Sequence, residues 1–279
     1  MTARTQRVSG LMAWAALAFV CVAAGCSGSG SESAAPSPAA SAELTLDLGG
    51  GVTMKMVLIP AGKFMMGSPD SEQGRYEDEG PQHEVVITKP FYMGVTEVTQ
   101  AQYEAVMGKN PSYYRGAANP VETVSWNDAV EFCKKLSEKT RQTVRLPTEA
   151  EWEYACRAGT QTAFSFGDDP STLGDYAWWG KNSGETPHPV GQKKPNAWGL
   201  YDTHGNVWEW CADWWGEYPK GPITDPSGPA TASRGSRVLR GGSWRRGDTD
   251  YFRCAYRDHG YDAPTTRDDR DGFRCARIL

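Results

Sequence analysis

The stretch from Pro195 to Trp215 constrains the fold more than any other part of the chain. It reads PNAWGLYDTHGNVWEWCADWW, in which turn-forming residues alternate with large aromatic rings. Gly, Asn and Asp favour bends of the backbone, whereas Trp and Tyr bury large apolar surfaces. The stretch therefore predicts a core that is built from loops packed on aromatic side chains.

Composition indicates a single folded domain without a nucleic-acid partner. The chain has 279 residues, of which 39% are hydrophobic, and it contains no visible internal repeat. This length and apolar content suffice for one core. The formal net charge is -5, and the basic residues are scattered apart from a carboxy-terminal cluster of Arg and Asp. The basic patch that nucleic-acid binding requires is therefore missing.

The amino terminus predicts export and lipid attachment. Residues 1–25 combine Arg4 and Arg7 with an apolar run that is too short to span a bilayer, as is typical of a signal peptide. Small residues precede Cys26, as in a bacterial lipobox, in which the cysteine becomes the lipidated first residue of the mature protein. The alternative is an ordinary secretory signal in which Cys26 has no role. We expect an exported lipoprotein in the cell envelope, and in the outer membrane if the cell has one.

The residues that follow the lipobox predict a tether and then the domain. Residues 26–43 are rich in Ser, Gly, Pro and Ala and cannot bury a core, so they indicate a flexible linker. The folded domain is predicted at residues 44–279. Contact with the membrane is thus expected through the lipid.

Short strands and three capped helices are predicted along this domain. Each helix begins at a capping box, in which a Ser or Thr hydroxyl accepts a hydrogen bond from an otherwise unpaired amide; the boxes start at Thr99, Ser125 and Thr148. Long segments rich in Gly, Pro and Asp separate the elements, so little regular secondary structure is expected. The strands are predicted at 54–59 and 63–68, paired as a hairpin, and at 83–88, 91–95, 252–257 and 272–279, and residues 237–244 are predicted as a strand that runs into a turn.

Four sequence blocks occur in the order of one known family. They are RLPTEAEWEY at 145–154, GNVWEW at 205–210, RGGSW at 240–244 and GFRC at 272–275. Through these blocks the chain resembles the formylglycine-generating, or sulfatase-modifying factor, family over about residues 50–279. The resemblance implies an α+β fold, the formylglycine-generating-enzyme-like variant of the C-type-lectin fold. Function does not follow from the fold alone.

The resemblance also implies where copper would bind, and the chain lacks the ligands. In the oxidases of the family, two cysteines between the Gly-Gly-Ser turn and the following Arg-Cys bind copper(I), because soft thiolates suit that ion. Here the interval 244–253 reads WRRGDTDYFR and contains no cysteine. We therefore expect no copper at this site, which puts oxidase activity in doubt.

The other cysteines indicate disulfides. Once Cys21 and Cys26 are set aside, five of the seven cysteines remain, which in an exported chain predicts two bridges and one thiol left over. The sequence by itself leaves the pairs open. The remaining thiol, Cys211, is either reactive or a small buried side chain among tryptophans. The pairs that the resemblance implies are Cys133 with Cys275 and Cys156 with Cys254.

A calcium site is the next feature that the resemblance implies. Family members hold an ion in the loop at the start of the central stretch, with one side-chain amide oxygen and several backbone carbonyls. Such oxygen ligands suit a hard cation. The alternative is a turn without an ion. The matching residues here are Asn196, Ala197, Gly199 and Tyr201.

The segment from Arg245 to Arg270 is the candidate ligand surface. It mixes Asp, Arg, Tyr, Thr and His, and the corresponding region lines the ligand cleft of this fold. Tyr and Arg are frequent in binding hot spots. A solvated charged face is the alternative. The candidate contact residues are Trp244, Arg246, Asp250, Tyr251, Tyr256, Arg257, His259 and Tyr261.

Three functions are compatible with the sequence. The first is a lipid-anchored binding module for an unknown protein, peptide or glycan. The second is an oxidoreductase of this family that acts on a protein or small molecule without the missing cysteine pair. The third is a display protein whose last segment is diversified by a retroelement. No catalytic residue is predicted, and no two of the four histidines have metal-ligand spacing.

Overall fold

Three small sheets carry the core. The computed structural model describes residues 42–232, 235–258 and 263–279, so the predicted signal peptide, Cys26, His259 and Tyr261 lie outside the described residues. The helices are α1 (Gln100–Met107), α2 (Trp126–Thr140), α3 (Glu149–Arg157) and the short α4 (Leu173–Tyr176). The strands are β1 (Glu43–Gly49), β2 (Val52–Ile59), β3 (Gly62–Met66), β4 (His83–Ile87), β5 (Phe91–Gly94), β6 (Val144–Arg145), β7 (Trp208–Trp214), β8 (Ile223–Thr224), β9 (Arg237–Arg240), β10 (Asp271–Gly272) and β11 (Ala276–Ile278).

The largest sheet brings the last strand of the domain together with its first strands. The largest has the strand order β1-β2-β5-β11-β6, so the last strand lies between β5 and β6 and is antiparallel to both. The other two sheets have the orders β10-β7-β9 and β3-β4-β8. Tyr103 of α1 and Phe132 of α2 pack in the same apolar cluster as Met54 and Met56 of β2. The two helices therefore cover the largest sheet.

All three predicted capping boxes are confirmed. At α1, the Thr99 hydroxyl accepts a hydrogen bond from the amide of Gln102 at 3.2 Å, and the Gln102 side chain accepts one from the Thr99 amide at 2.9 Å. The same reciprocal bonds are present at Ser125 and Thr148. The first helix ends at Gly108, whose φ of 72° is the left-handed conformation that favours glycine. These signals predicted the starts of all three helices and the end of α1 from sequence.

The predicted hairpin of 54–59 with 63–68 is wrong. Strand β2 pairs with β1 and β5, whereas β3 pairs with β4 in another sheet. The residues between them, Pro60 and Ala61, carry the chain from one sheet to the other. Because both edges of β2 are already paired, no edge is left for β3.

The predicted strand at 252–257 is also wrong. Residues Thr249–Phe252 form a single 3-10 turn, and further turns follow. Backbone carbonyls that a strand would use for ladder bonds are taken by a side chain, because Arg240 donates from Nη1 to the carbonyls of Cys254 at 3.1 Å and Tyr256 at 2.6 Å. Both faces of the segment are buried, so it lacks the alternation of an exposed strand.

A chain of buried ion pairs links α3 to the carboxy-terminal part of the domain. Arg157 Nη2 lies 2.8 Å from Glu153 Oε1, and Glu153 also pairs with Arg240. Arg240 Nε lies 3.3 Å from Glu149 Oε1, and the same oxygen lies 2.6 Å from Arg257 Nε. These side chains are at most 5% exposed. We call this five-residue series the buried ion chain.

Loss of one carboxylate from the buried ion chain is expected to destabilise the domain strongly. Glu153→Gln would leave Arg157 and Arg240 buried without their shared negative partner, which costs about 3–5 kcal/mol in comparable buried pairs. The free energy of unfolding in denaturant measures this. The matched control is Glu131→Gln, which removes a half-exposed carboxylate 3.9 Å from Lys135 and should cost less than about 1 kcal/mol. Equal losses for the two variants would contradict the prediction.

Candidate functional site

The best-formed candidate contact surface is a group of aromatic rings around Tyr251. The Tyr251 and Tyr256 rings meet edge to face, with centroids 5.1 Å apart. Tyr76 stacks on Tyr251 at 6.4 Å and meets Tyr256 edge to face at 5.3 Å, while Trp208 lies 5.7 Å from Tyr256. We call these four rings, together with Arg246, the tyrosine cluster.

Arg246 supplies the cationic group of the tyrosine cluster. Its guanidinium lies over the Tyr251 ring at 4.7 Å and 6.0 Å from the Trp208 ring, and its Nη2 is 3.9 Å from a carboxylate oxygen of Asp258. The side chain is 34% exposed. Within the described residues, its buried Nε has no hydrogen-bond partner. The cluster therefore presents an oriented cation on an aromatic platform.

A glycine turn after β9 positions this cluster. Gly241 and Gly242 have φ values of 98° and 82°, and a Cβ on Gly242 would lie only 2.5 Å from the Phe252 ring. Glycine is therefore required there. The Trp244 amide then donates to the carbonyl of Asn206 at 2.7 Å, which fixes the chain where it turns toward Arg246.

The predicted contact residues separate into different places. Arg246, Tyr251 and Tyr256 lie together in the tyrosine cluster. Trp244 is buried, donates from Nε1 to the carbonyl of Asp269 at 3.3 Å and lines a separate cavity of about 230 Å³. Asp250 lines a different cavity, of about 430 Å³.

Arg257, another predicted contact residue, lies apart from the tyrosine cluster. It is fully buried in the ion chain, with Nε and Nη2 donating to the two oxygens of Glu149 at 2.6 and 2.8 Å. Tyr256 is buried as well, but its ring packs in the tyrosine cluster, whereas the Arg257 guanidinium joins the ion chain. Arg257 Nη1 also donates to the carbonyls of Asp78 and Gly216.

The five cysteines of the folded domain all lie in the core, and each is at most 3% exposed. Cys133 Sγ is 3.9 Å from Cys275 Sγ, and Cys156 Sγ is 3.6 Å from Cys254 Sγ, so both implied pairs are adjacent as thiols. The bonds themselves stay a prediction. Cys211 is fully buried, and burial raises the pKa of its thiol well above the usual range. This favours the inert side chain over the reactive thiol.

The loop implied for calcium is closed by its own hydrogen bonds. The side-chain oxygen of Asn196 accepts from the amides of Trp198 at 3.0 Å and Leu200 at 3.1 Å, and its Nδ2 donates to the carbonyls of Ala155 and Cys156. The Tyr201 carbonyl accepts from Arg274. Both acceptor positions of the Asn196 side-chain oxygen are used by these hydrogen bonds, so this oxygen is not free to bind an ion. Calcium binding stays a prediction that the resemblance alone supports.

A third cavity lies beside the end of β7, and the predicted contact residue Arg257 is among those that line it. It has a volume of about 460 Å³ and is lined by residues of the loop after Asp213, among them Tyr218 and Gly228. Asp213 is 3% exposed, and one of its oxygens accepts from the Glu149 amide at 2.9 Å. Burial, aided by the Glu149 carboxylate, raises the pKa of Asp213 to about 7. Nothing in the WCADWW pattern distinguishes this aspartate from an ordinary strand residue.

Comparisons with known proteins agree on one family. The profile described as "Sulfatase-modifying factor enzyme 1-like domain" matches residues 50–279. The formylglycine-generating enzyme of Streptomyces coelicolor is 32% identical, and the alignment covers 80% of this chain and 89% of that protein.

Two solved structures share the fold. Treponema denticola variable protein 1 superposes with a TM-score of 0.78 at 34% identity, covering 85% of this chain and 99% of that one. PvdO from Pseudomonas aeruginosa gives a TM-score of 0.73 at 35% identity, covering 81% of this chain and 94% of that one. The predicted α+β architecture, a variant of the C-type-lectin fold with few helices, is thereby confirmed.

The raised pKa of Asp213 predicts a specific dependence of stability on pH. The folded state holds this proton more tightly than the unfolded state, so the stabilisation is complete below about pH 4 and is lost as the pH rises to about 7. Over that window the slope contributed by one group is at most about 1.4 kcal/mol per pH unit. Asp213→Asn should flatten the slope of unfolding free energy against pH by this contribution. Asp175→Asn, at an exposed carboxyl whose pKa is lowered by Lys194, should leave the slope unchanged between about pH 5 and pH 7.

Proposed function

Because this chain belongs to the family that carries the sulfatase-modifying factor enzyme 1-like domain, we propose that it is an exported, lipid-anchored member that binds a protein, peptide or glycan. In this proposal it has no copper-dependent oxidase activity. The observation that carries the proposal is the distribution of its thiols. The interval 244–253 contains none, and the five cysteines of the domain are buried in the core.

The thiol distribution bears on catalysis through the chemistry of copper. Copper(I) is held by soft ligands, above all thiolates, so a reactive copper centre needs cysteines that reach the substrate. In the family's oxidases those cysteines lie in the interval that here contains Arg246 and Tyr251. A guanidinium and a phenol do not replace a pair of thiolates. The same interval instead supplies residue types that are common in binding hot spots.

The tyrosine cluster has the chemistry of a contact surface. Tyr76 and Tyr251 are the partly exposed rings and offer apolar area, while Trp208 and Tyr256 are buried beside them. The guanidinium of Arg246, whose side chain is 34% exposed, offers donors to an acceptor such as a carboxylate or a sugar hydroxyl. Stacking on Tyr251 holds that guanidinium in one orientation, which lowers the entropy lost on binding. We infer that the ligand presents an anionic or polar acceptor beside an apolar face.

Two other functions stay open as alternatives. Similarity to the Streptomyces formylglycine-generating enzyme favours an oxidoreductase that acts without the missing cysteine pair. Similarity to a protein named as variable, from Treponema denticola, favours the display function. The display function requires a reverse transcriptase gene and a near-copy of the last segment beside this gene, so inspection of the neighbouring genome decides it.

Membrane attachment in this proposal rests on the lipid at Cys26. No helix within the described ranges has the length and hydropathy to cross a bilayer. Residues 26–43 would then separate the domain from the membrane surface. A mature chain whose mass shows an unmodified start at residue 27 or later would contradict the anchor. The predicted bridges Cys133–Cys275 and Cys156–Cys254 belong to the same exported, oxidised state.

Copper loading tests the absence of oxidase activity. Purified protein given copper and a cysteine-containing sulfatase peptide should consume no oxygen beyond a protein-free blank and should form no formylglycine. The Streptomyces formylglycine-generating enzyme under identical conditions is the positive control. Oxygen uptake accompanied by formylglycine in the peptide would overturn the binding proposal in favour of the oxidoreductase.

Variants of the tyrosine cluster test ligand binding. Arg246→Ala and Tyr251→Ala should each weaken capture of the partner from an envelope extract by about 30-fold, as loss of a hot spot of about 2 kcal/mol implies. Arg277→Ala is the matched control, because Arg277 also stacks on a tyrosine, 5.2 Å from the Tyr92 ring, but away from the cluster. Equal capture by all three variants and the wild type would show that the ligand binds elsewhere.

A further inference from the structure

A buried carboxylate with an unused oxygen lines the cavity of about 460 Å³ beside the end of β7. Asp213 is 3% exposed, and its Oδ2 accepts from the Glu149 amide at 2.9 Å. Its other oxygen, Oδ1, has no hydrogen-bond donor among the described residues. A Cβ on Gly228, whose φ is 72°, would lie only 3.0 Å from Oδ1, so glycine keeps the space beside that oxygen open. The cavity therefore borders an acceptor that the domain itself does not satisfy.

The arginines that act on Asp213 are already paired with other carboxylates. Arg257 holds both oxygens of Glu149 at 2.6 and 2.8 Å, and Arg145 holds both oxygens of Glu151 at 2.6 Å. Within the part of the chain that the structure describes, Asp213 takes part in no ion pair. Burial and the Glu149 carboxylate raise its pKa, as expected for a buried negative charge without a cation of its own.

A second acceptor without a donor lines the same cavity. His83 is 4% exposed, and its Nδ1 is 3.0 Å from the carbonyl oxygen of Pro81, which can only accept. The neutral ring therefore carries its proton on Nδ1, and Nε2 has a lone pair for which the described residues supply no donor. Two buried acceptors that lack donors favour a ligand that donates hydrogen bonds.

Much of the remaining wall is apolar or aromatic. Met66, Ile223 and Pro226 supply apolar surface, and the Tyr218 ring lies with its centroid 4.9 Å from that of His83. Aromatic rings attract cations as well as apolar groups. The volume falls in the range of about 300–1,000 Å³ that is usual for ligand pockets. An apolar stem that ends in a cationic donor matches this combination of walls and buried acceptors.

We propose that this cavity binds an alkylammonium group, which is either the side chain of a lysine in a polypeptide or a free primary amine. The ammonium supplies the positive charge that Asp213 lacks, and its three N–H donors serve the acceptors that the domain leaves unsatisfied. The alkyl stem packs on the apolar wall. The cavity shares no residue with the tyrosine cluster, so this inference goes beyond the proposed function and does not depend on it.

Calorimetric titration at pH 8 tests the site, because Asp213, with a pKa of about 7, is mostly ionised there. The purified protein should bind Nα-acetyl-lysine amide at least about 10-fold more tightly than Nα-acetyl-norleucine amide, which has the same stem without the amine. Equal affinity for the two, or no binding of the lysine derivative, would overturn the proposal. The probe n-butylammonium separates the two sources of the amine. Affinity equal to that of the lysine derivative assigns the cavity to free amines, and weaker binding assigns it to lysine side chains.

Three variants locate the bound amine. Asp213→Asn should weaken binding of the lysine derivative by at least about 10-fold. Ser227→Trp places a large side chain at the exposed rim of the cavity and should abolish binding without a change in the core. Asp175→Asn, at an exposed carboxylate 2.8 Å from Lys194 Nζ, is the matched control and should bind as the wild type does.

Circular dichroism confirms that each variant is folded. Should Asp213→Asn fail to fold, Ser227→Trp and the comparison of lysine with norleucine on the wild type decide the matter. Binding that a folded Asp213→Asn or Ser227→Trp leaves unchanged, or that Asp175→Asn weakens equally, would show that the amine binds elsewhere and would refute the assignment.

Discussion

Buried ion pairs between arginine and glutamate attach the carboxy-terminal part of the domain to earlier segments of the chain. Arg240, Arg253, Arg257 and Arg274 are at most 2% exposed. Arg253 pairs with Glu72 and Glu79 of the loop between β3 and β4, and Arg274 holds both oxygens of Glu209 at 2.6 Å. Each pair connects segments far apart in sequence, and the same guanidinium groups donate to backbone carbonyls. Long loops without regular secondary structure are thereby fixed, because side chains take over bonds that a ladder would supply. A buried pair is costly to break, so the loops and the core are stable only together.

The sequence predicted those parts of the fold whose physical cause is local. A capping box needs only four consecutive residues, so Thr99, Ser125 and Thr148 marked the helix starts correctly. The pairing of β2 with β1 and β5, and of β3 with β4, depends on residues far away in sequence. The absence of the expected strand at 252–257 also depends on a residue outside the segment, because Arg240 donates to the carbonyls of Cys254 and Tyr256. Periodicity carries no information about such competition.

In the candidate site, too, the residues marked by local motifs were predicted, and those that depend on distant partners were not. The interval after the glycine turn was identified through motifs, and its Arg246, Tyr251 and Tyr256 do lie together. Arg257 could not be separated from them by sequence, because its partner Glu149 is 108 residues earlier. Asp213 was missed for a related reason. Its raised carboxyl pKa arises from burial against distant groups, which leaves no pattern in the residues around it.

The way the interval 244–253 is attached has a consequence for evolution. Its two ends are anchored in the core, by the bond from the Trp244 amide to Asn206 and by the bond from the Cys254 amide to Ala163 just beyond it. None of the seven residues between Trp244 and Phe252 is buried. In the proposed binding function, substitutions among them would change what the surface recognises while the anchors keep the backbone in place. Such a segment could acquire new specificities without loss of foldability.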